Sequence, residues 1–215
     1  GCYKFRMNLS LMSLELSVAA LGIVVLLADL WLPAERKRAL GYFAAAALGL
    51  LFLNSFTGNC SCAGAGEAFG GMFVQDALAV FFKRFFLLAA VLVLVMAVEF
   101  SDRIAAGVSE YYSLIIFALT GMLFAASAND FAMLFVSIEL ITITFYVLAS
   151  FTRGKVASLE AGVKYLILGG LSSAFMVYGI ALVWGTTGKF NFSELAMVAE
   201  RFMDNKVFLF GVLFI

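Results

Sequence analysis

The sequence predicts an all-α integral membrane protein, a polytopic bundle of about six complete transmembrane helices followed by a truncated seventh. Hydrophobic residues make up 64% of its 215 residues and charged residues only 13%, whereas soluble domains are nearer half apolar and a quarter charged. The apolar runs are about 20 residues long, the length needed to cross the hydrocarbon of a bilayer. They are continuous rather than alternating, which argues against membrane-spanning strands.

The apolar runs follow one another along the whole chain. We place complete spans at 10–32, 39–57, 77–100, 111–128, 130–151 and 160–185, and the start of a seventh near 207. The seventh run is cut at Ile215 after nine residues, so we expect the sequence to stop partway into a span. Apolar side chains at helical spacing over 191–204 predict a surface helix, and Asn191 with Glu194 marks its start.

Basic residues in the loops predict the orientation of the chain. Lys and Arg occur between spans one and two, three and four, and five and six, whereas the intervening loops have none. Since basic loops remain in the cytoplasm, we expect the amino terminus to lie outside. Lys83 and Arg84 do not fit this pattern because they fall near the outer end of span three. We expect their long side chains to snorkel toward the headgroups.

Composition also bears on partners and metals. The 14 basic and 14 acidic residues are balanced, which argues against nucleic acid as a partner. There is no histidine, which weakens the case for a histidine-based metal or acid–base site. Cys2, Cys60 and Cys62 imply no disulfide framework. We therefore predict no metal and no cofactor bound to this chain.

Glu139 has the most informative position of the charged residues. It lies ~15 Å from one end of span five and ~18 Å from the other, near the middle of the bilayer. An ionised carboxylate there costs at least ~2.5–3.5 kcal/mol, so we interpret Glu139 as a functional carboxyl that takes up and releases protons. Thr142 and Tyr146 follow on the same helix face and predict a supporting polar stripe. The alternative is a buried packing residue.

Lys164 is the second charged residue inside a predicted span. It lies ~6–10 Å from the cytoplasmic end of span six, which offsets it by ~8–12 Å from Glu139. We expect contact with Glu139 either directly or through one or two waters. The alternative is a lysine that snorkels to the cytoplasmic edge. The small residues beyond it are predicted to pack span six against a neighbouring helix, namely Gly169, Gly170, Ser172 and Ser173.

The region around these two residues resembles a known family. The segments SIEL, which contains Glu139, and SLEAGVKYLILGGLSSAFMVYGIALVWGTTG are similar to the antiporter-like membrane subunits of respiratory complex I. The likeness covers 129–188 and is greatest to the N subunit (chain 2) of NADH–quinone oxidoreductase. It implies that Glu139 is the fifth-span glutamate that modulates the proton affinity of lysines, and that Lys164 is the sixth-span lysine of a half-channel. The family's main channel lysine, followed by Pro-Phe-His, would lie beyond Ile215.

The resemblance also implies an organisation and a setting. Residues 1–128 would form spans one to four with a glycine-rich outer loop, and 129–215 an antiporter-like proton-channel core, truncated in span seven. The chain would be a subunit of a proton-pumping NADH:quinone oxidoreductase in a bacterial inner membrane and would hold no redox centre. NADH, FMN, iron–sulfur clusters and quinone would bind other subunits. Its partners would be other membrane subunits and the lipid bilayer.

Two alternatives remain open. The chain could be the D-type subunit of a multisubunit cation/proton antiporter, or a scaffold subunit that does not transport. The sequence also departs from the family, whose members often have a proline shortly after the glutamate. Here the residues are Ile141–Thr142–Ile143–Thr144, so we expect no proline kink, and Thr142 or Thr144 to hydrogen-bond to a carbonyl one turn back.

Overall fold

The computed structural model describes residues 9–32, 37–56, 66–101 and 107–215. The helices, in chain order, are α1 (Ser13–Ala28), α2 (Lys37–Asn54), α3 (Ala77–Phe100), α4 (Val108–Ala126), α5 (Phe131–Ala149), α6 (Val156–Thr187), α7 (Phe192–Val198) and α8 (Lys206–Phe214). Short 3-10 turns precede α1 and follow α7, at Leu9–Met12 and Ala199–Phe202. The three cysteines and most of the glycine-rich loop lie outside the described residues.

Five of the described helices are long and apolar enough to cross a membrane. They are α1 with its preceding turn, α3, α4, α5 and α6. The second predicted span corresponds to α2, which has 18 residues and begins with Lys37 and Arg38. The nine residues of α8 correspond to the start of the predicted seventh run. The predicted transmembrane helix bundle is therefore confirmed, with an approximate number of spans.

Two apolar clusters hold the helices together. The larger joins α1, α2, α3 and α4 through residues such as Val18, Leu48, Leu94 and Leu123. The smaller joins α5, α6 and α8 through Phe131, Ile180, Val183 and Phe208. The outward faces of the spans also carry large apolar side chains, including Ile23, Phe81, Leu92, Met96, Val136 and Leu168. Because such a surface requires lipid around it, the chain is an integral, multi-pass membrane protein.

Glycines set the closest helix contacts. A Cβ on Gly121 of α4 would lie 2.9 Å from the carbonyl oxygen of Ser137 on α5. A Cβ on Gly179 of α6 would lie 2.6 Å from the carbonyl oxygen of Gly211 on α8. At both crossings the glycine lets one helix approach the backbone of the next, as small residues commonly do between membrane helices.

A small antiparallel hairpin precedes α3 and was not predicted. Its strands, β1 (Gly66–Ala68) and β2 (Phe73–Gln75), pair with Gly66 opposite Gln75. The Val74 N–H donates to the Ser127 carbonyl over 2.9 Å, and the Asn129 N–H donates to the Met72 carbonyl over 2.8 Å. The hairpin therefore fastens the start of α3 to the connection between α4 and α5.

Asn191 joins the same end of the bundle to the connection between α6 and α7. Its side-chain oxygen accepts from the Ser193 and Glu194 N–H groups, which confirms the predicted helix start. Its side-chain nitrogen donates to the Gly71 carbonyl over 2.9 Å. We call this end, where residues 66–75, 127–131 and 188–191 meet, the hairpin face.

The opposite end of the bundle carries basic residues, and we call it the basic face. Its described basic residues are Lys37, Arg38, Arg153 and Lys155. Lys37 forms an ion pair with Asp29 over 2.7 Å. The Lys37 ammonium, with a smaller contribution from the Ser109 hydroxyl, lowers the pKa of Asp29 below its ordinary value. This ion pair therefore stabilises the approach of α1 to α2 at neutral pH, and its contribution is lost as the pH falls through the lowered pKa.

Lys83 contradicts the expectation that it snorkels. Its side chain is 2% exposed and its ammonium turns inward to Glu15 of α1, which is fully buried. Arg84 lies differently, with its guanidinium donating to the Ser55 carbonyl over 2.8 Å and stacking on Phe56. The snorkelling expectation failed for Lys83 because a buried carboxylate on a neighbouring helix gives the ammonium a partner inside the bundle.

Candidate functional site

Glu139 lies in the middle of α5. It lies eight positions after Phe131 and ten positions before Ala149, which places it ~12 Å and ~15 Å from the two helix ends. The side chain is half-buried, and its Oε1 accepts a hydrogen bond from the Ser173 hydroxyl of α6. A hydroxyl can donate to a carboxylate or accept from a carboxylic acid. The partner of Glu139 can therefore adapt to either protonation state.

The contact that Ser173 makes differs from the one predicted. The sequence predicts that Ser173 belongs to a patch of small residues that packs helices together. That role holds for Gly169, where a Cβ would overlap the Tyr146 hydroxyl. Ser173, one turn further along the same face, instead provides the hydrogen-bond donor to Glu139. No pattern in the sequence links these two residues, which are 34 positions apart.

The threonines after Glu139 bond to the backbone of α5. The Thr142 hydroxyl donates to the Glu139 carbonyl over 3.1 Å, and the Thr144 hydroxyl donates to the Ile141 carbonyl over 2.7 Å. The predicted bonding to carbonyls one turn back is confirmed for both. The donor of Thr142 is therefore used by the backbone rather than by the Glu139 carboxyl, and its part in the polar stripe stays a prediction.

Tyr146 is the buried polar group nearest to Glu139 along this helix face. It is 8% exposed, and its ring packs edge-on against Tyr165 with 5.0 Å between centroids. Its hydroxyl has no hydrogen-bond partner among the residues that the structure describes. Helical side chains lean toward the amino terminus of their helix, so this hydroxyl is directed toward the level of Glu139. A buried hydroxyl left unpaired costs about 1–3 kcal/mol, so the position favours a water partner.

Lys164 does not contact Glu139. Its ammonium forms an ion pair with Glu160, one turn earlier on α6, and the two side chains are 69% and 60% exposed in this chain. Lys164 lies nine positions before Ser173, so its backbone lies ~14 Å from the level of Glu139. Because the pair forms toward the start of α6, the ammonium is directed to the basic face, as in a snorkelling lysine.

The predicted offset of ~8–12 Å was too small because of how α6 lies against α5. A Cβ on Gly162 would overlap the Cβ of Ser150, so Gly162, and not residue 160, is level with the end of α5. Lys164 lies only two residues, or ~3 Å, further into the bundle. The helix starts at Val156 rather than 160. Its first turn lies beside the end of α5, where the Ser158 hydroxyl donates to the Ala149 carbonyl over 3.0 Å. Glu160 was not predicted as a site residue, although its spacing of four residues from Lys164 is typical of a helical ion pair.

These groups form a sequence of levels along the contact between α5 and α6. Glu139 with Ser173 lies at mid-span. The contact of the Tyr146 hydroxyl with Gly169 lies one step nearer the basic face. The ion pair of Lys164 with Glu160 lies nearest to the basic face. Within residues 9–32, 37–56, 66–101 and 107–215, no group of three or more His, Cys, Asp or Glu is placed to hold a metal ion. The chemistry that the three levels offer is proton exchange, with water needed between them.

Comparison with known proteins finds a family that covers this segment. Residues 128–215, which contain all of these groups, match the transmembrane domain family described as NADH:quinone oxidoreductase/Mrp antiporter. This segment belongs to that family. Glu139, Glu160 and Lys164 therefore lie within the matched segment, whereas α1, α2, α3 and α4 precede it.

Three similar curated proteins share one name. NADH-quinone oxidoreductase subunit N of Desulforamulus reducens is 39% identical over 189 residues, which cover 88% of this chain and 39% of that protein. The subunit N of Moorella thermoacetica is 35% identical, and the match covers 97% of this chain and 43% of that protein. The subunit N of Heliobacterium modesticaldum is 40% identical, and the match covers 85% of this chain and 38% of that protein. The chain thus spans about two fifths of the length of these relatives.

Solved structures share the fold. A chain of the membrane-bound sulfane sulfur reductase, an archaeal respiratory membrane complex, superposes with a TM-score of 0.71 at 22% identity and covers 95% of this chain and 42% of its own. A chain of respiratory complex I from Thermus thermophilus with bound aureothin superposes with a TM-score of 0.70 at 22% identity. The match covers 94% of this chain and 42% of that chain. These likenesses show that the helix arrangement of this chain is one that respiratory membrane complexes use.

Proposed function

We propose that this chain is part of a membrane subunit of a proton-pumping NADH:quinone oxidoreductase, in which Glu139 and Lys164 take part in proton translocation. The observation that carries the proposal is the Glu139 carboxyl, held at mid-span by the Ser173 hydroxyl of the next helix. Ionisable groups at this depth of a membrane helix are costly and are usually functional. The relatives named NADH-quinone oxidoreductase subunit N support the choice of complex.

Glu139 is the switchable carboxyl in this proposal. In the charged form it accepts from Ser173, and after proton uptake its own O–H donates while the Ser173 hydroxyl accepts. The contact between α5 and α6 therefore survives both states. The carboxyl can hold or release a proton without separating the two helices.

Tyr146 and Lys164 extend the route toward the basic face. The Tyr146 hydroxyl can pass a proton because it both donates and accepts, and water would join it to Glu139 and to Lys164. Glu160 positions the Lys164 ammonium through their ion pair. Lys164 would collect protons at the basic face, and Glu139 would receive them at mid-span.

The setting of the subunit follows from the same proposal. Redox energy would come from other subunits that bind NADH, FMN, iron–sulfur clusters and quinone, and this chain would hold none of them. The basic face, with Lys37, Arg38, Arg153 and Lys155, would lie in the cytoplasm of a bacterium. The hairpin face and the amino terminus would lie on the outer side of the inner membrane, and other membrane subunits would be its partners.

A D-type subunit of a multisubunit cation/proton antiporter is the second candidate. The description of the matched family includes the Mrp antiporter, so the site chemistry suits both. The two candidates differ in what accompanies the protein. A complex I subunit should co-purify with NADH dehydrogenase activity, whereas an antiporter subunit should co-purify with sodium/proton exchange and no NADH oxidation.

Substitution of Lys164 tests the proposed function. In inside-out vesicles that hold the whole subunit in its complex, Lys164→Met should lower the protons translocated per NADH oxidised several-fold, because the route loses its cationic entry group. Lys155→Met is the matched control, since Lys155 is an exposed lysine at the start of the same helix. Equal proton yields from both variants and the unsubstituted protein would refute a role for Lys164, and no NADH-driven pumping by the unsubstituted protein would refute the function.

A further inference from the structure

Glu15 and Lys83 form a buried ion pair outside the matched segment. Glu15 Oε1 lies 2.5 Å from Lys83 Nζ, and the two side chains are 0% and 2% exposed. The pair joins α1 to α3. Isolated charges in such a place are unfavourable, and an ion pair compensates fully only when the remaining donors and acceptors also have partners.

Lys83 has more favourable contacts than Glu15. Lys83 has two further partners, since its Nζ lies 3.5 Å from Gln75 Oε1 and 4.7 Å from the centroid of the Phe73 ring. Glu15 Oε2 is buried and has no hydrogen-bond partner in the described part of the chain. The cation would therefore keep favourable contacts if the carboxylate were neutralised, and the carboxylate has one oxygen available for a proton.

The pair lies close to the hairpin face. Lys83 follows the start of α3 at Ala77 by six residues and precedes its end at Phe100 by seventeen, which gives ~9 Å to one end and ~26 Å to the other. Fully buried apolar side chains fill the interior toward the basic face, among them Val18, Leu87, Leu94 and Ile116. The nearest water is therefore at the hairpin face.

Other charged groups around the pair have partners or water of their own. Asp76 accepts from the Ala79 N–H, and Asp130 accepts from the Ala132 N–H. Arg84 donates to the Ser55 carbonyl, and Glu67 on β1 is exposed. The described charges of α2 and α4 begin those helices at the basic face, namely Lys37, Arg38 and Glu110. Proton binding at Glu15 would thus be governed chiefly by Lys83.

We propose that Glu15 and Lys83 form a second proton-exchange site, open to the hairpin face and separate from Glu139. A proton from that face binds Glu15 Oε2, one O–H bond forms, and the net charge of the pair rises from zero to plus one. The Lys83 ammonium is then held by Gln75 and the Phe73 ring. Release of the proton to the same face restores the ion pair.

Protonation of this site would affect the start of α5 through strand β2. Gln75 and Phe73, which hold the ammonium after proton uptake, belong to β2. The same strand donates from Val74 to the Ser127 carbonyl, just before α5. The site therefore links the proton concentration at the hairpin face to the segment that anchors the helix of Glu139.

Infrared titration of the whole subunit in its complex, reconstituted in lipid nanodiscs, tests this proposal. A protonated-carboxyl stretching band should grow as the pH falls in the unsubstituted protein and in the exposed control Glu67→Gln, and its Glu15 component should be lost in Glu15→Gln. Gln75→Leu should shift the midpoint of that component. Superimposable titrations of Glu15→Gln and the unsubstituted protein would overturn the proposal.

A second variant keeps the test decisive if Glu15→Gln fails to assemble. Glu15→Gln combined with Lys83→Met removes both charges at similar volume, a change that buried ion pairs commonly tolerate. The same band should be absent from the double variant, and its full retention would overturn the proposal. The titration needs no NADH turnover, so its outcome is independent of the proposed pumping function.

Discussion

Glu139→Gln should slow proton transfer through the subunit by roughly 100-fold, the scale on which a positioned acid–base group contributes. Glutamine has nearly the same size, and its amide oxygen can still accept from Ser173, so the complex should assemble. It cannot gain or lose a proton at neutral pH. The measurement is the number of protons translocated per NADH oxidised in inside-out vesicles.

A matched control separates this effect from a general loss of charge. Glu99 lies near the end of α3 and is exposed, so Glu99→Gln should leave the proton yield unchanged. If Glu139→Gln complexes pumped as well as the unsubstituted protein, Glu139 would be a packing residue that needs only a hydrogen bond to Ser173.

Lys83→Ala should destabilise the subunit by about 3–5 kcal/mol, the usual cost of removing one partner from a buried ion pair. The substitution leaves the Glu15 carboxyl inside the bundle without its counter-ion and removes the contacts of Lys83 with Gln75 and Phe73. We expect a lower unfolding temperature in detergent and less assembled complex in the membrane.

Arg84→Ala is the control for this prediction, because Arg84 is the next residue of α3 and is also cationic. Its half-buried guanidinium donates to one carbonyl and stacks on Phe56, so its loss should cost only about 1–2 kcal/mol. An unfolding temperature for Lys83→Ala no lower than for Arg84→Ala would show that the buried pair contributes little.

The helices and the mid-span acid could be predicted from the sequence alone. Lipid imposes continuous apolar runs of a fixed length, and that requirement is visible in any single sequence. The depth of Glu139 follows from its place within such a run. The start of α7 was also predictable, because the Asn191 cap is a local signal that depends on neighbouring residues only.

Contacts between distant helices could not be predicted in this way. Glu139 meets Ser173, and Glu15 meets Lys83, because of how the helices rotate and pack, which no local pattern records. The hairpin was missed because strands of three residues are too short to show alternation. The offset of Lys164 was misjudged because it depends on which residue of α6 lies level with the end of α5, and that is set by the contact of Gly162 with Ser150.

Glu139 is proposed to change its protonation state during turnover, and NADH-induced infrared difference spectra of the assembled complex test this most directly. The proposal predicts a protonated-carboxyl band that appears or disappears on addition of NADH and that is lost in Glu139→Gln. A difference spectrum in which every carboxyl band survives that substitution would contradict it.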